Sequence, residues 1–448
     1  MHTLEQLRAG KLCGARHLKL AENLTEFPPE IFSLNETLEV LDLTGNQLNR
    51  LPDELAEFSK LRIIFCSENR FTELPEVLGR CPALTMVGFK ANQIVTVPAA
   101  SLPVGLRWLI LTDNSVEQLP DELGQCGALQ KLMLSGNRLR ELPATLANCQ
   151  RLELVRIAAN RLDALPHWLV SLPRLAWLAY AGNPFSDKQE QRLGQCASVA
   201  DIPWAALTVG ERLGQGASGV IHRAELATPA GPRAVAVKCF KGAVTSDGLP
   251  RCELAVSLAA GRHPHLVGVE GGWAITSGIP ALVMALIDPD FINLAGPPSL
   301  DSCTRDIYQA DARFTPAALL AMVQGVASAA LHLHGRGILH GDLYAHNMLH
   351  SSQGEGRLLL GDFGAASCYE RTDGELAGLL ERLEVRAFGC LLEELLARCA
   401  PRDNRLDVLH VLVDDCFAEV VAARPDFTEI AARLAAVAAV ICAEPVLL

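Results

Sequence analysis

The chain has 448 residues, half of them hydrophobic, and a net charge of −12, a length sufficient for two or three independently folded units. The acidic balance argues against a general nucleic-acid binder, because phosphate backbones are gripped by clustered Lys and Arg. No apolar run reaches the roughly 20 residues that span a bilayer, and the start Met1-His2-Thr3-Leu4-Glu5 has neither the charge nor the apolar stretch of a signal peptide.

Asparagine recurs at Asn23, Asn46, Asn69, Asn92, Asn114, Asn137, Asn160 and Asn183, a spacing of 22 or 23 residues. Each closes the pattern L-x-x-L-x-L-x-x-N, as in Leu38-Leu41-Leu43-Asn46 and Leu129-Leu132-Leu134-Asn137. This period and pattern are those of leucine-rich repeats. The first half is therefore expected to be an α/β solenoid, a horseshoe of about eight repeats over 15–185 behind an N-terminal cap at 1–14. The leucines point inward from a short strand, and each asparagine can bond buried backbone groups where the chain turns. Leu-Pro pairs at Leu51-Pro52, Leu74-Pro75, Leu119-Pro120, Leu142-Pro143 and Leu165-Pro166 begin the convex side, where the fixed φ of proline suits a turn.

Fourteen cysteines contain no Cys-x-x-Cys pair, which argues against a zinc knuckle. Cys81, Cys126 and Cys149 each stand three residues before the first leucine of a repeat strand, and Cys196 stands likewise before Val199. Phe58 and Leu172 fill the same place in other repeats, so it is a core position for a reduced thiol. The expected compartment is reducing and cytoplasmic. Arg outnumbers Lys 31 to 8, the skew expected of a GC-rich bacterial genome.

Strand residues between the core leucines are expected on the concave face. Phe65, Met86, Trp108, Met133 and Trp177 give that face the aromatic and methionine content of a protein interface. Packing against the rest of the chain is the alternative. Gly182-Asn183-Pro184-Phe185 and the helix after it look like a closing cap, and 186–206, with a break at Pro203, is read as capping helix and linker.

The C-terminal half, 207–448, carries a different signature. Residues 208–220 read as strand, glycine turn and strand, with Gly214, Gly216 and Gly219 followed by Val220. Ala-Val-Lys ends at Lys238, which with Lys241 makes the only two lysines from residue 208 onward. Glu253 is the one acid in the next predicted helix. An apolar helical stretch at 314–337 leads into His340-Gly341-Asp342, with Asn347 beyond it, and Asp362-Phe363-Gly364 follows. G-x-G-x-x-G also occurs in dinucleotide folds, but a helix follows it there, whereas 220–224 continues here as a strand.

Five such motifs in this order are strong evidence, and this half resembles the eukaryotic-like protein kinases. The whole chain resembles a leucine-rich repeat protein kinase. That resemblance implies a two-lobed α+β domain using ATP and Mg²⁺. It implies that Lys238 binds the α/β phosphates and is held by Glu253, and that Asp342 takes the substrate hydroxyl proton. Asn347 and Asp362 would supply metal oxygens. The glycine loop would cover the phosphates, with Val220, Ala236 and Leu349 as apolar walls. Met284 would guard the adenine pocket, and Ala285 and Leu286 would offer backbone groups to its edge. His340 is expected to brace Phe363. Arg424-Pro425 matches the family's closing Arg-Pro motif.

Four positions depart from the family pattern. Gly341 replaces the arginine that pairs with a phosphorylated activation loop. Tyr344 replaces a lysine near the γ-phosphate, with His346 the nearest substitute. Glu384, which takes the place of an aspartate starting a core helix, comes only 22 positions after Asp362. No Ala-Pro-Glu occurs, so Arg424 lacks its customary glutamate. The nucleotide site therefore reads as whole and the protein-substrate platform as trimmed. Three functions fit: a protein kinase of serine/threonine type served by its repeats, a nucleotide-binding pseudokinase scaffold, or a small-molecule phosphotransferase, whose family shares His-Gly-Asp-x4-Asn.

Overall fold

The computed structural model describes residues 2–196, 202–216, 219–242, 244–245, 247–272, 281–352 and 356–443; Val199 lies outside them. The chain forms two compact units, Met1–Leu172 with Asn183–Phe185, and Pro173–Gly182 with Ser186–Leu448.

In the first unit each repeat contributes one three-residue strand. These are β1 (His17–Lys19), β2 (Val40–Asp42), β3 (Ile63–Phe65), β4 (Met86–Gly88), β5 (Trp108–Ile110), β6 (Lys131–Met133) and β7 (Leu154–Arg156). They pair in parallel and in chain order. Leu41, Ile64, Val87, Leu109, Leu132 and Val155 point to the core and are buried. The asparagines satisfy the backbone between repeats. Asn46 Nδ2 donates to Leu20 O and Leu43 O at 2.8 Å each, and its Oδ1 accepts from Leu24 N at 3.0 Å. Asn69, Asn92, Asn114, Asn137 and Asn160 repeat this contact with the preceding turn. Asn23 differs: it is exposed in a left-handed turn at φ 56°, at the edge of the ladder.

The expected concave face needs correction at two of its five anchors. Phe65, Trp108 and Met133 are half-buried as interface residues would be, and Lys131 Nζ lies 4.4 Å from the centre of the Trp108 ring. Met86, however, is buried, standing in register between Ile63 and Trp108, whose side chains flank it. Trp177 is only 2% exposed. Its strand, β8 (Trp177–Ala179), belongs to the second unit, where its ring is enclosed.

The second unit carries a five-stranded antiparallel sheet. Its strands are β9 (Leu207–Gln215), β10 (Gly219–Thr228), β11 (Gly231–Phe240), β12 (Val269–Gly272) and β13 (Ala281–Ala285), in the order β12-β13-β11-β10-β9. Val235 and Val237 on β11 join Leu207, Ala224, Leu226, Ala281 and Val283 in one apolar cluster, with Ile202 packed among them. On the other side, Phe240, Leu254 and Leu282 bury against one another, with Met284 packed beside them. This second cluster fixes the Pro250–Ala260 helix, which starts with Pro250 in its first turn and stops at Gly261, φ 66°. Proline suits the first turn, where its missing N–H costs nothing.

Below the sheet, the Pro316–His334 helix is capped by the Thr315 side chain, which accepts from Ala318 N. It is long and apolar enough to cross a membrane, yet 61% of its apolar window is buried within the protein, as in a core helix. The Gly374–Leu396 helix packs beside it. Glu384, expected to start a helix, lies inside this one. The short segment after Gly364 turns directly into helix at Gly374, so the helix begins before Glu384 is reached.

Candidate phosphoryl-transfer site

β10 and β11 set the lysine. Lys238 pairs with Ile221 across the hairpin and with Leu282 on β13, so its side chain leaves the sheet at a fixed point. Its Nζ lies 2.5 Å from Glu253 Oε1 and 3.2 Å from Asp362 Oδ1. Burial pulls the ammonium down, but the charges of Asp362 and Glu253 outweigh it and hold Lys238 above its ordinary value. Burial also pushes the Glu253 carboxyl up, with Lys238 opposing it. Glu253 Oε2 is buried without a hydrogen-bond partner among the described residues. A buried pair of this kind is fragile: removing one partner costs about 3–5 kcal/mol, because the other charge is stranded.

The three loop glycines differ in what requires them. A Cβ on Gly219 would stand 2.7 Å from Cys239 O and 3.2 Å from Lys238 Cγ, so the hairpin itself demands glycine there. Among the described residues, a Cβ on Gly214 or Gly216 would meet nothing within 4 Å. The space beside them is open, which suits close approach of a ligand to the backbone. Val220, Met284, Ala285, Leu286 and Leu349 are half-buried and Ala236 is buried, with Ala236 paired to Met284.

Asp362 adopts left-handed backbone, φ 55°, and its Oδ1 accepts from Gly364 N at 3.2 Å. Such a conformation costs a non-glycine residue roughly 1–2 kcal/mol; the local hydrogen bond offsets part of this. Burial pushes its carboxyl up, but Lys238 and the Gly364 amide hold it below the usual range. Its side chain keeps 49% of its exposure, so the carboxylate remains open to a ligand. Asn347 Nδ2 donates to Asp342 O at 2.9 Å and to Asp342 Oδ2 at 2.8 Å. This orientation spends the amide N–H groups on Asp342 and leaves Asn347 Oδ1 as an acceptor. Hard oxygen donors from Asn347 and Asp362 fit a Mg²⁺ ion better than a soft metal.

His340 is fully buried; its Nε2 lies 2.9 Å from Gly361 O and its ring 5.1 Å from that of Phe363. It braces the backbone ahead of Asp362. Glu384 holds the other side of the loop, accepting from Gly341 N at 2.7 Å on Oε1 and contacting His334 Nε2 at 2.7 Å with Oε2. The partnership of His334 with Glu384 was not anticipated from sequence; its signal was the Leu-His-Leu-His ending of the apolar helix. His346 is held by Asp306. Its Nδ1 lies 2.8 Å from Asp306 Oδ1; burial pulls the imidazole down, but the Asp306 hydrogen bond and charge hold it above its ordinary value. Arg424, buried at 1% exposure, replaces its absent glutamate with three carbonyls: Ala418 O at 3.0 Å, Arg382 O at 3.0 Å and Pro173 O at 2.7 Å.

The segment after Gly364 is spoken for. Ser367 pairs with Leu339 and Cys368 with Ile338. Ser367 is fully buried, and Tyr369 is buried with its hydroxyl on Glu381 Oε1 at 2.5 Å. Thr372 alone of the three hydroxyl residues is exposed. A phosphate on it would find no arginine at position 341 to clamp it. Transfer activity of phosphatase-treated protein and of Thr372→Ala should therefore stay within twofold of the untreated wild type; a loss beyond tenfold in either would make phosphorylation the switch.

Comparison with known proteins agrees with this geometry. A family model described as "Protein tyrosine and serine/threonine kinase" matches residues 207–388, and one described as "Leucine Rich Repeat" matches 37–58 and 128–149. The chain thus joins leucine-rich repeats to a protein kinase domain. "Leucine-rich repeat and calponin homology domain-containing protein 1" of Mus musculus is 32% identical over 115 residues, 25% of this chain and 16% of that protein. "Ephrin type-B receptor 4a" of Danio rerio is 31% identical over 155 residues, 34% of this chain and 14% of that protein. "Probable inactive serine/threonine-protein kinase roco10" of Dictyostelium discoideum is 32% identical over 114 residues, 24% of this chain and 4% of that protein. The chain spans less than a fifth of the length of each of these relatives.

Proposed function

We propose that the chain is an ATP- and Mg²⁺-dependent protein kinase of serine/threonine type, working in a reducing, cytoplasmic compartment. The observation that carries this reading is the position of Lys238 Nζ, within hydrogen-bonding distance of both Glu253 and Asp362. A lysine so held keeps its charge and its place, ready for the α/β phosphates. Asp342, fixed by Asn347, accepts the proton of the acceptor hydroxyl as its oxygen attacks the γ-phosphorus and ADP leaves. Bound by Asn347 and Asp362, Mg²⁺ would neutralise charge on the nucleotide phosphates.

Recognition of a protein substrate or partner falls to the half-buried concave residues Phe65, Trp108 and Met133. One observation favours a second reading, a nucleotide-binding scaffold: Tyr344 occupies the place of the family's γ-phosphate lysine and is itself buried. The test of the nucleotide site is thermal. ATP with Mg²⁺ should raise the melting temperature of the wild type, and Asp362→Ala should abolish the Mg²⁺-dependent part of that rise. An unchanged shift in the variant would remove Asp362 from the site and the kinase reading with it.

A further inference from the structure

The transfer loop does not stand on the residues that define it alone. One extended segment, Pro173–Gly182, lies along it and along the stretch after Asp362. The Trp177 indole stacks on the Tyr344 ring, with centroids 4.2 Å apart and planes 7° from parallel. Its Nε1–H donates to Leu343 O at 3.2 Å. Leu178 O lies 2.7 Å from the point where a Cβ on Gly341 would sit. Tyr180 N–H donates to Ser367 Oγ at 3.0 Å, and the Tyr180 hydroxyl to Cys368 O at 3.2 Å. Arg386 Nε donates to Arg174 O at 3.1 Å, and Arg424 closes the far end on Pro173 O at 2.7 Å.

These contacts have a pattern. Residues 341, 343 and 344 bracket Asp342 on both sides, and each rests on Trp177 or Leu178. Gly341 can take this close backbone approach only because it lacks a side chain. In sequence, the segment is the strand of the eighth repeat; in packing, it is a wall of the catalytic loop.

We propose that Trp177 is a positioning residue for Asp342, so that the repeat pattern of the N-terminal half supplies a working part of the transfer site. The proposal rests on the kinase reading and deepens it. A general base must stand within about 2.6–3.2 Å of the proton it takes, and a misplacement of about 1 Å can cost roughly 100-fold in rate. Trp177 fixes the two residues after Asp342 through one hydrogen bond and one stacked ring. Loss of both should let the loop drift while leaving Lys238, Glu253 and Asp362 in place, since their ion pairs run to one another.

The experiment compares full-length wild type, Trp177→Ala and Trp177→Phe. Its readouts are label transfer from γ-labelled ATP to casein, KM for ATP, the melting shift with ATP and Mg²⁺, and amide hydrogen exchange across 341–347. Trp177→Ala should lower kcat about 10- to 100-fold, with KM and the nucleotide shift within twofold of wild type and exchange across 341–347 accelerated. Trp177→Phe, which keeps a ring and loses the N–H, should fall between the two. A kcat within twofold of wild type, or unchanged exchange across 341–347, overturns the proposal. If Trp177→Ala does not fold, the same criteria apply to Trp177→Phe. Absence of transfer by the wild type would defeat the kinase reading, and the exchange comparison would still decide whether Trp177 fixes the loop.

Discussion

Replacing Asp342 with alanine should slow phosphoryl transfer by ~10²–10⁴-fold, the range for loss of a general base or orienting group, with ATP affinity nearly intact. The separation follows from the site. Asp342 bonds to Asn347, whereas the nucleotide-facing charges are those of Lys238, Glu253 and Asp362. Alanine removes the proton acceptor and the bond from Asn347 Nδ2 to Oδ2, while the bond to the backbone carbonyl at 342 is kept. Asp342→Asn should be nearly as slow, because it keeps the size of the side chain and loses the basic oxygen. Single-turnover rates at saturating ATP, beside nucleotide titrations of each variant, check both parts. Equal rates in wild type and Asp342→Ala would make the domain a scaffold.

Gly341→Arg, which restores the residue that the kinase pattern places there, should cripple the protein. Gly341 has φ 71°, and a Cβ on it would stand 2.5 Å from Ala365 O and 2.7 Å from Leu178 O. Both obstacles are backbone and cannot swing aside. Left-handed geometry costs an L-residue roughly 1–2 kcal/mol, and overpacking adds about 1–3 kcal/mol. At ~2–4 °C per kcal/mol for a unit of this size, melting should fall by roughly 4–20 °C, with activity falling alongside as the loop is forced away from Leu178. Differential scanning calorimetry of the full chain measures this. A variant that melts with the wild type would show that the loop has room the geometry denies it.

The sequence carried the motif order well, because each motif is a local requirement of its own chemistry. Lys238, Glu253, Asp342, Asn347 and Asp362 could be named from the motifs of the family they resemble; Lys238 meets Glu253 and Asp362 as ion pairs, and Asn347 bonds to Asp342. The repeats were legible for the same reason: one asparagine per turn does one local task. What could not be read were contacts to backbone atoms. Trp177 and Tyr180 look like any strand residues of a repeat, yet their partners are the carbonyls of Leu343 and Cys368. Nothing in a residue's identity advertises that its carbonyl will accept a bond. The absent arginine at 341 and the absent glutamate partner of Arg424 looked like two separate losses. In the fold they are one substitution, since Leu178 O fills the first gap and Pro173 O the second. Glu384 shows a subtler limit. Its buried partnership with Gly341 N keeps its carboxyl below the usual range, as His334 and the amide outweigh burial, but its place inside a longer helix depended on how short the preceding segment proved to be.

The fate of the γ-phosphate decides whether this domain is a protein kinase. Pure full-length protein incubated with γ-labelled ATP and Mg²⁺ should transfer label to protein, either to itself or to added casein, with Asp342→Ala at least about 100-fold slower. Label that never exceeds the Asp342→Ala level, or that appears only in small molecules, would contradict the assignment of this domain as a protein kinase.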